Sequence, residues 1–253
     1  MSKTRHNIIA EGNTLNFLFP RCWQELSQRQ LKAVLVFLSA YKDNPTEALL
    51  RITLYFANMV IVKAGNGHAR CRLVSDKGVI DCSLSAEDLT ALSDALLWIR
   101  QPGAVPVLLE KSHGGKAIDK SLRGVSFSDY IQLDNLFQGY LMSKNTDAVS
   151  SMADIIYPGR KKEPLKGFEI YGIILWYTQV KEMFVKEFPN FFRRSGSVTP
   201  LSVRDAMNAQ IRALTGGDVT KEPEVLATDT WRALTELNAK AVEAEEFKKS
   251  MKK

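Results

Sequence analysis

The sequence predicts a mainly α protein with a small α+β insertion, a β-hairpin plus an edge strand, and a helical bundle-like C-terminal half. Two observations carry this. Apolar residues recur at steps of three and four over most of the chain, and between residues 68 and 84 the period switches to two. At 253 residues, 45% hydrophobic and 25% charged, the composition is that of an ordinary globular chain, with enough apolar material for a sizeable core.

The elements follow in order. Residues 15–19 (Leu-Asn-Phe-Leu-Phe) read as an opening strand closed by Pro20. Ser27, with Gln30 three residues on, forms a capping box for a first helix whose inward stripe is Leu31, Val34, Leu35 and Leu38. Asn44-Pro45-Thr46 breaks it, and Thr46 caps a second helix carrying Leu49, Leu50, Thr53, Leu54 and Ala57. Residues 68–75 and 79–84 flank the turn signal Asp76-Lys77-Gly78. A loop from 75 to 78 places Cys71 opposite Cys82 and Leu73 opposite Ile80, all on one buried face with Leu84.

Ser85 opens a third helix, with Glu87 and Asp88 in the first turn and Leu89, Leu92, Leu96 and Ile99 inside. Residues 105–109 read as a further strand, confined to an edge by Pro106. Ser128 or Ser126 caps a helix through Leu141, and Thr146 with Asp147 caps the next. The helix from about 165 to 188 has the widest apolar face and should be central. Residues 195–199 form a small-residue linker. A helix from about 202 to 214 stops at Gly216-Gly217, and Asp218 or Thr220 opens the last helical segment. The expected division is 1–125, 126–194 and 195–253.

Several function classes find no support. No apolar run approaches the ~20 residues that span a bilayer, and the N-terminus lacks a secretory h-region. The expectation is a cytoplasmic protein. Cys22, Cys71 and Cys82 are an odd count, which suits buried thiols better than a disulfide framework. His68 and His113 have no neighbours at metal-ligand spacing, so no metal is expected. Gly65-Asn66-Gly67 and Gly114-Gly115-Lys116 lack phosphate-loop spacing and read as turns. No nucleophile elbow or His-Glu-x-x-His occurs, and His113 reads as an exposed loop histidine. The expectation is a non-enzyme without catalytic residues or cofactor.

The formal net charge of +6 permits an anionic partner. Arg160, Lys161, Lys162, Arg193 and Arg194 are the candidate contacts, and a nucleic-acid-binding accessory protein using these loop patches is the alternative reading. Ordinary solvated loop charge is the competing explanation.

Two stretches carry a resemblance. One is Ile174-Leu175-Trp176-Tyr177-Thr178-Gln179-Val180-Lys181, running on to Glu187-Phe188-Pro189-Asn190-Phe191-Phe192. The other is Ile211-Arg212-Ala213-Leu214-Thr215-Gly216-Gly217-Asp218-Val219-Thr220, followed by the segment from Trp231 to Ala241. Together they resemble tail-module proteins, of the tail-assembly chaperone kind, from prophages of anaerobic gut bacteria. The resemblance implies a non-enzymatic assembly role in the cytoplasm of a bacterial host or in association with the virion, binding a tail component or a helix of the tape-measure protein; self-association is left open. On the residues themselves, Trp231, Leu234, Leu237, Ala241 and Ala244 form a helical stripe suited to a partner helix. The competing use of that stripe is packing on the protein's own core.

Overall fold

A computed structural model describes residues 4–10, 13–75, 78–193 and 203–251. The chain divides into two compact units, Met1–Pro102 with Lys166–Tyr171, and Gly103–Leu165 with Gly172–Lys253. These boundaries differ from the expected 125/126 and 194/195. Residues 103–125 are hydrogen-bonded to the helices that follow: Ile118 N–H donates to Ile156 O (2.9 Å) and Trp176 Nε1–H to Lys120 O (2.8 Å). The linker expected at 195–199 lies outside the described residues, as does Arg194.

The first unit opens with β1 (Thr4–Ala10) and β2 (Asn13–Phe19), paired antiparallel from Thr4↔Phe19 to Ala10↔Asn13. Helix α1 (Gln28–Ala40) begins at the expected capping box: Ser27 Oγ accepts from Gln30 N–H, and Gln30 Oε1 accepts from Ser27 N–H. Helix α2 (Pro45–Phe56) is capped by Asn44, whose Oδ1 accepts from Glu47 N–H, and not by Thr46. Pro45 suits the first helical turn, having no N–H to satisfy there, so the cap falls one residue before it. The α1 stripe Leu31, Val34 and Leu35 is buried, as are Leu49, Ile52 and Leu54 of α2.

Asn58 sits in the left-handed region at φ 51°, ends α2, and turns the chain into β3 (Met59–Gly65). This strand joins β4 (His68–Ser75) and β5 (Gly78–Ser85) in an antiparallel sheet of order β3-β4-β5. The hairpin register is the expected one, Cys71↔Cys82 and Leu73↔Ile80. The third strand is β3, however, and not residues 105–109, which are irregular. There Val107 N–H donates to Gln179 Oε1 (2.8 Å), so a buried side chain satisfies a group that a sheet partner would otherwise take. Helix α3 (Ala86–Asp94) starts at Ser85, paired with Asp88 as a second capping box. Trp23 and Trp98 close the unit edge to face at 5.3 Å, donating through Nε1–H to Gln101 O and Pro20 O.

The second unit begins with a minimal ribbon, β6 (Lys111–Ser112) and β7 (Gly115–Lys116). Both loop residues, His113 and Gly114, have positive φ (45° and 87°), as two-residue hairpins favour. Helix α4 (Phe127–Ser143) is capped by Ser126, and α5 (Thr146–Ile156) by Asn145 in place of Thr146. Helix α6 (Gly167–Glu187) supplies the unit with Trp176, Tyr177, Val180 and Phe184, all 0% exposed, as its wide apolar face predicts. Helix α7 (Val203–Thr215) ends at Gly216 and Gly217, with φ of 64° and 88°. After a 3₁₀ turn opened by Asp218 come α8 (Glu222–Ala227) and α9 (Thr230–Ser250). The architecture is therefore mainly α with a small β insertion. No helix among the described residues is long and apolar enough to cross a membrane.

Candidate functional site

Helix α9 carries the predicted stripe, and its two halves meet different surroundings. The start is anchored. Asp229 caps it by accepting from Trp231 and Arg232 N–H, and its second carboxylate oxygen accepts from Gly124 N–H (2.7 Å). Thr230 Oγ–H donates to Val125 O at 2.8 Å. Trp231 packs edge-on to Phe184 and Phe188, donates to Ser121 O, and lies 4.0 Å beneath the Arg123 guanidinium. Leu234 and Leu237 are buried in the core, so Trp231, Leu234 and Leu237 pack within their own unit. Ala241 is half-buried and Ala244 exposed.

Beyond Leu237 the apolar face continues without cover among the described residues. Ala244 and Met251 stand seven and fourteen positions after Leu237, which on an α-helix is the same face. Phe247 flanks them. Phe247 is 65% and Met251 74% exposed. The sequence stripe stopped at Ala244 and missed these two residues. Asn238 Oδ1 accepts from Asn190 and Phe191 N–H, and Glu245 pairs with Arg193 at 2.6 Å, holding this stretch of α9 to the segment that follows α6.

The basic candidates separate. Arg160 is turned inward, with its side chain 4% exposed. It bonds Asp154 (2.8 Å) and the carbonyls of Ser150, Lys161 and Glu163. Arg193 is exposed and bound to Glu245. Lys161 and Lys162 are exposed. The structure does not gather these residues into one patch. It sets Lys161 beside the β6–β7 hairpin instead, where Lys161 N–H donates to His113 O (2.9 Å). Lys111 and Lys116 of that hairpin were not legible as partners, because strands of two residues leave no periodicity.

Titratable groups form small, satisfied clusters. His113 is not the exposed loop residue expected: its side chain is 11% exposed, and Nδ1 lies 3.1 Å from Glu163. Between α4 and α6, Asp134 accepts from Lys181 (2.7 Å) and Tyr177 (3.2 Å). Burial, reinforced by Asp134, holds the phenols of Tyr130 and Tyr177 well above their ordinary range, so both stay protonated. Among the described residues no group of three or more His, Cys, Asp or Glu could hold a metal ion. An open groove of about 460 Å³ is lined by Leu214, Val225, Thr228, Arg232 and Glu236.

Comparison with family models, with curated proteins and with solved structures returned no match.

Proposed function

We propose that this chain is a non-enzymatic protein–protein interaction factor of bacteriophage tail assembly, and that it binds an amphipathic helix of a tail component such as the tape-measure protein. The resemblance of segments 174–192 and 211–241 to prophage tail-module proteins suggests the setting. The observation that carries the binding role is the row Ala244, Phe247 and Met251, which extends the buried face of α9 past its cover. A core-type face left open to water marks a contact surface, and helix-in-groove or helix-on-helix docking uses anchors at this spacing. Ala241 and Ala244 leave room for a second helix to approach closely, while phenylalanine and methionine are enriched at interfaces.

The test uses the full chain and the recombinant tape-measure protein of the same phage, with the affinity read by calorimetry. Replacing both Phe247 and Met251 by serine should weaken binding by about tenfold or more, the effect of losing one anchor worth ~1.4 kcal/mol. Both residues are exposed, so the fold should survive. Truncation after Gly217 is a poorer test, because it removes Leu234 and Trp231 from the core. Absence of wild-type binding to any tail component, or unchanged affinity in the double variant, refutes the proposal.

A further inference from the structure

The β6–β7 hairpin presents a charge arrangement that the protein-binding role does not use. Lys111 and Lys116 are register partners, so their side chains leave the ribbon on the same face. The next pair, Ser112 and Gly115, is buried and faces the other way. Gly115 backs onto the loop after α5 so closely that a Cβ there would stand 2.7 Å from Tyr157 O and 2.9 Å from Arg160 Cβ. This fixes the outward direction of the two lysines. Lys161 is tied to the hairpin through its N–H, which donates to His113 O, and Lys162 follows it in the chain. All four lysines are exposed, and none forms an ion pair among the described residues. Two nearby acids are already engaged, Glu163 by His113 and Asp154 by Arg160. Counting Arg160 with the four lysines, five positive charges stand against three negative ones, those of Glu110, Asp154 and Glu163, so the surface keeps a net positive charge.

Like charges placed directly opposite on a ribbon oppose folding, and an anionic ligand would relieve that cost. Two features favour phosphate over a protein carboxylate surface. Lysine is depleted at protein interfaces, and no large apolar side chain is exposed between residues 110 and 118 or 157 and 165 to form an interface core. With Tyr157 buried, there is also no exposed aromatic platform for unstacked bases. We propose that Lys111, Lys116, Lys161 and Lys162 bind the phosphate backbone of double-stranded nucleic acid without reading its sequence.

Four phosphate contacts set the expected salt dependence. The slope of log K against log salt should be about −3.6, a loss of roughly 150-fold between about 50 and about 200 mM salt. Fluorescence anisotropy of the full chain with a labelled duplex of about 20 base pairs, as DNA in one arm and RNA in the other, reads this directly and identifies the source of the phosphates. The Lys111→Gln/Lys116→Gln variant should lower the slope to about −1.8, a roughly 12-fold loss over the same range. Its Tm should be unchanged or raised, because the like-charge pair is gone. Lys186→Gln, on exposed α6 surface, should leave the slope at the wild-type value. The proposal is overturned by no binding to either duplex at low salt, by a slope that the double variant does not move, or by a polyglutamate peptide that binds as tightly as the duplexes. None of these results bears on the α9 row, whose test uses different residues and a different partner.

Discussion

Replacing Arg160 by alanine should destabilise the second unit by about 3 kcal/mol. Breaking a buried ion pair costs ~3–5 kcal/mol. The lower end applies here because Arg160 is 4% exposed while Asp154 is 41% exposed and can be rehydrated. The Ser150 carbonyl keeps its place within α5, and the Lys161 carbonyl still accepts from Glu163 N–H, so neither is orphaned. What disappears is the bond to the Asp154 carboxylate, three bonds to carbonyls and the packing of the stem. Arg160→Lys retains the charge but cannot fork to several acceptors, and should lose about 1.5 kcal/mol. Equilibrium urea unfolding followed by far-UV circular dichroism measures both, and a double-mutant cycle with Asp154→Ala isolates the pair, expected at about 1 kcal/mol. A loss below about 0.5 kcal/mol for Arg160→Ala would place the residue in the ordinary surface class and sink the reasoning.

Two further expectations concern the cores. Leu234→Ala should cost about 2–5 kcal/mol through the cavity it leaves, whereas Ala244→Ser should stay within about 0.5 kcal/mol; equal Tm values for the two would show that α9 is not anchored as described. Burial, with Cys82 adding to it, pushes the Cys71 thiol up to about 11 from an ordinary 9.0. The unfolded chain therefore releases this proton first. The associated stability is complete below about 9 and lost as the pH rises through about 11, which urea midpoints taken over that range should show, with Cys71→Ala flattening the decline.

Much of the fold was legible because local chemistry and period agreed. At Ser27 and Ser85 the cap and the residue three positions on name both partners of the box. Between residues 68 and 84 one loop length puts Cys71, Leu73, Ile80, Cys82 and Leu84 on one face, so the register follows, although Ile80, at 38% exposed, is not buried with Cys71, Cys82 and Leu84 as expected. The strand Met59–Gly65 was missed because it follows α2 without a break in apolar character. The residue that separates them, Asn58, makes the turn by adopting a left-handed backbone, which composition barely signals. Residues 105–109 failed in the opposite sense: the apolar character of Val107 and Leu108 reflects burial, but Val107 N–H goes to Gln179, seventy-two positions away. The candidate sites were legible only in part. Steps of three and four located the α9 face, while sequence could not say where its cover ends. Adjacency in sequence suggested that Arg160 acts with Lys161 and Lys162, yet the loop folds the first inward and leaves the others in water.

The perpendicular indoles of Trp23 and Trp98, 5.3 Å apart, give the first unit an optical signature of its own. Transition moments at that separation couple, and coupled chromophores produce a split band of opposite signs in the ultraviolet. Trp176 and Trp231 belong to the other unit and pack against phenol and phenyl rings instead. Loss of the split band on heating would therefore time the melting of one half of the molecule without any label.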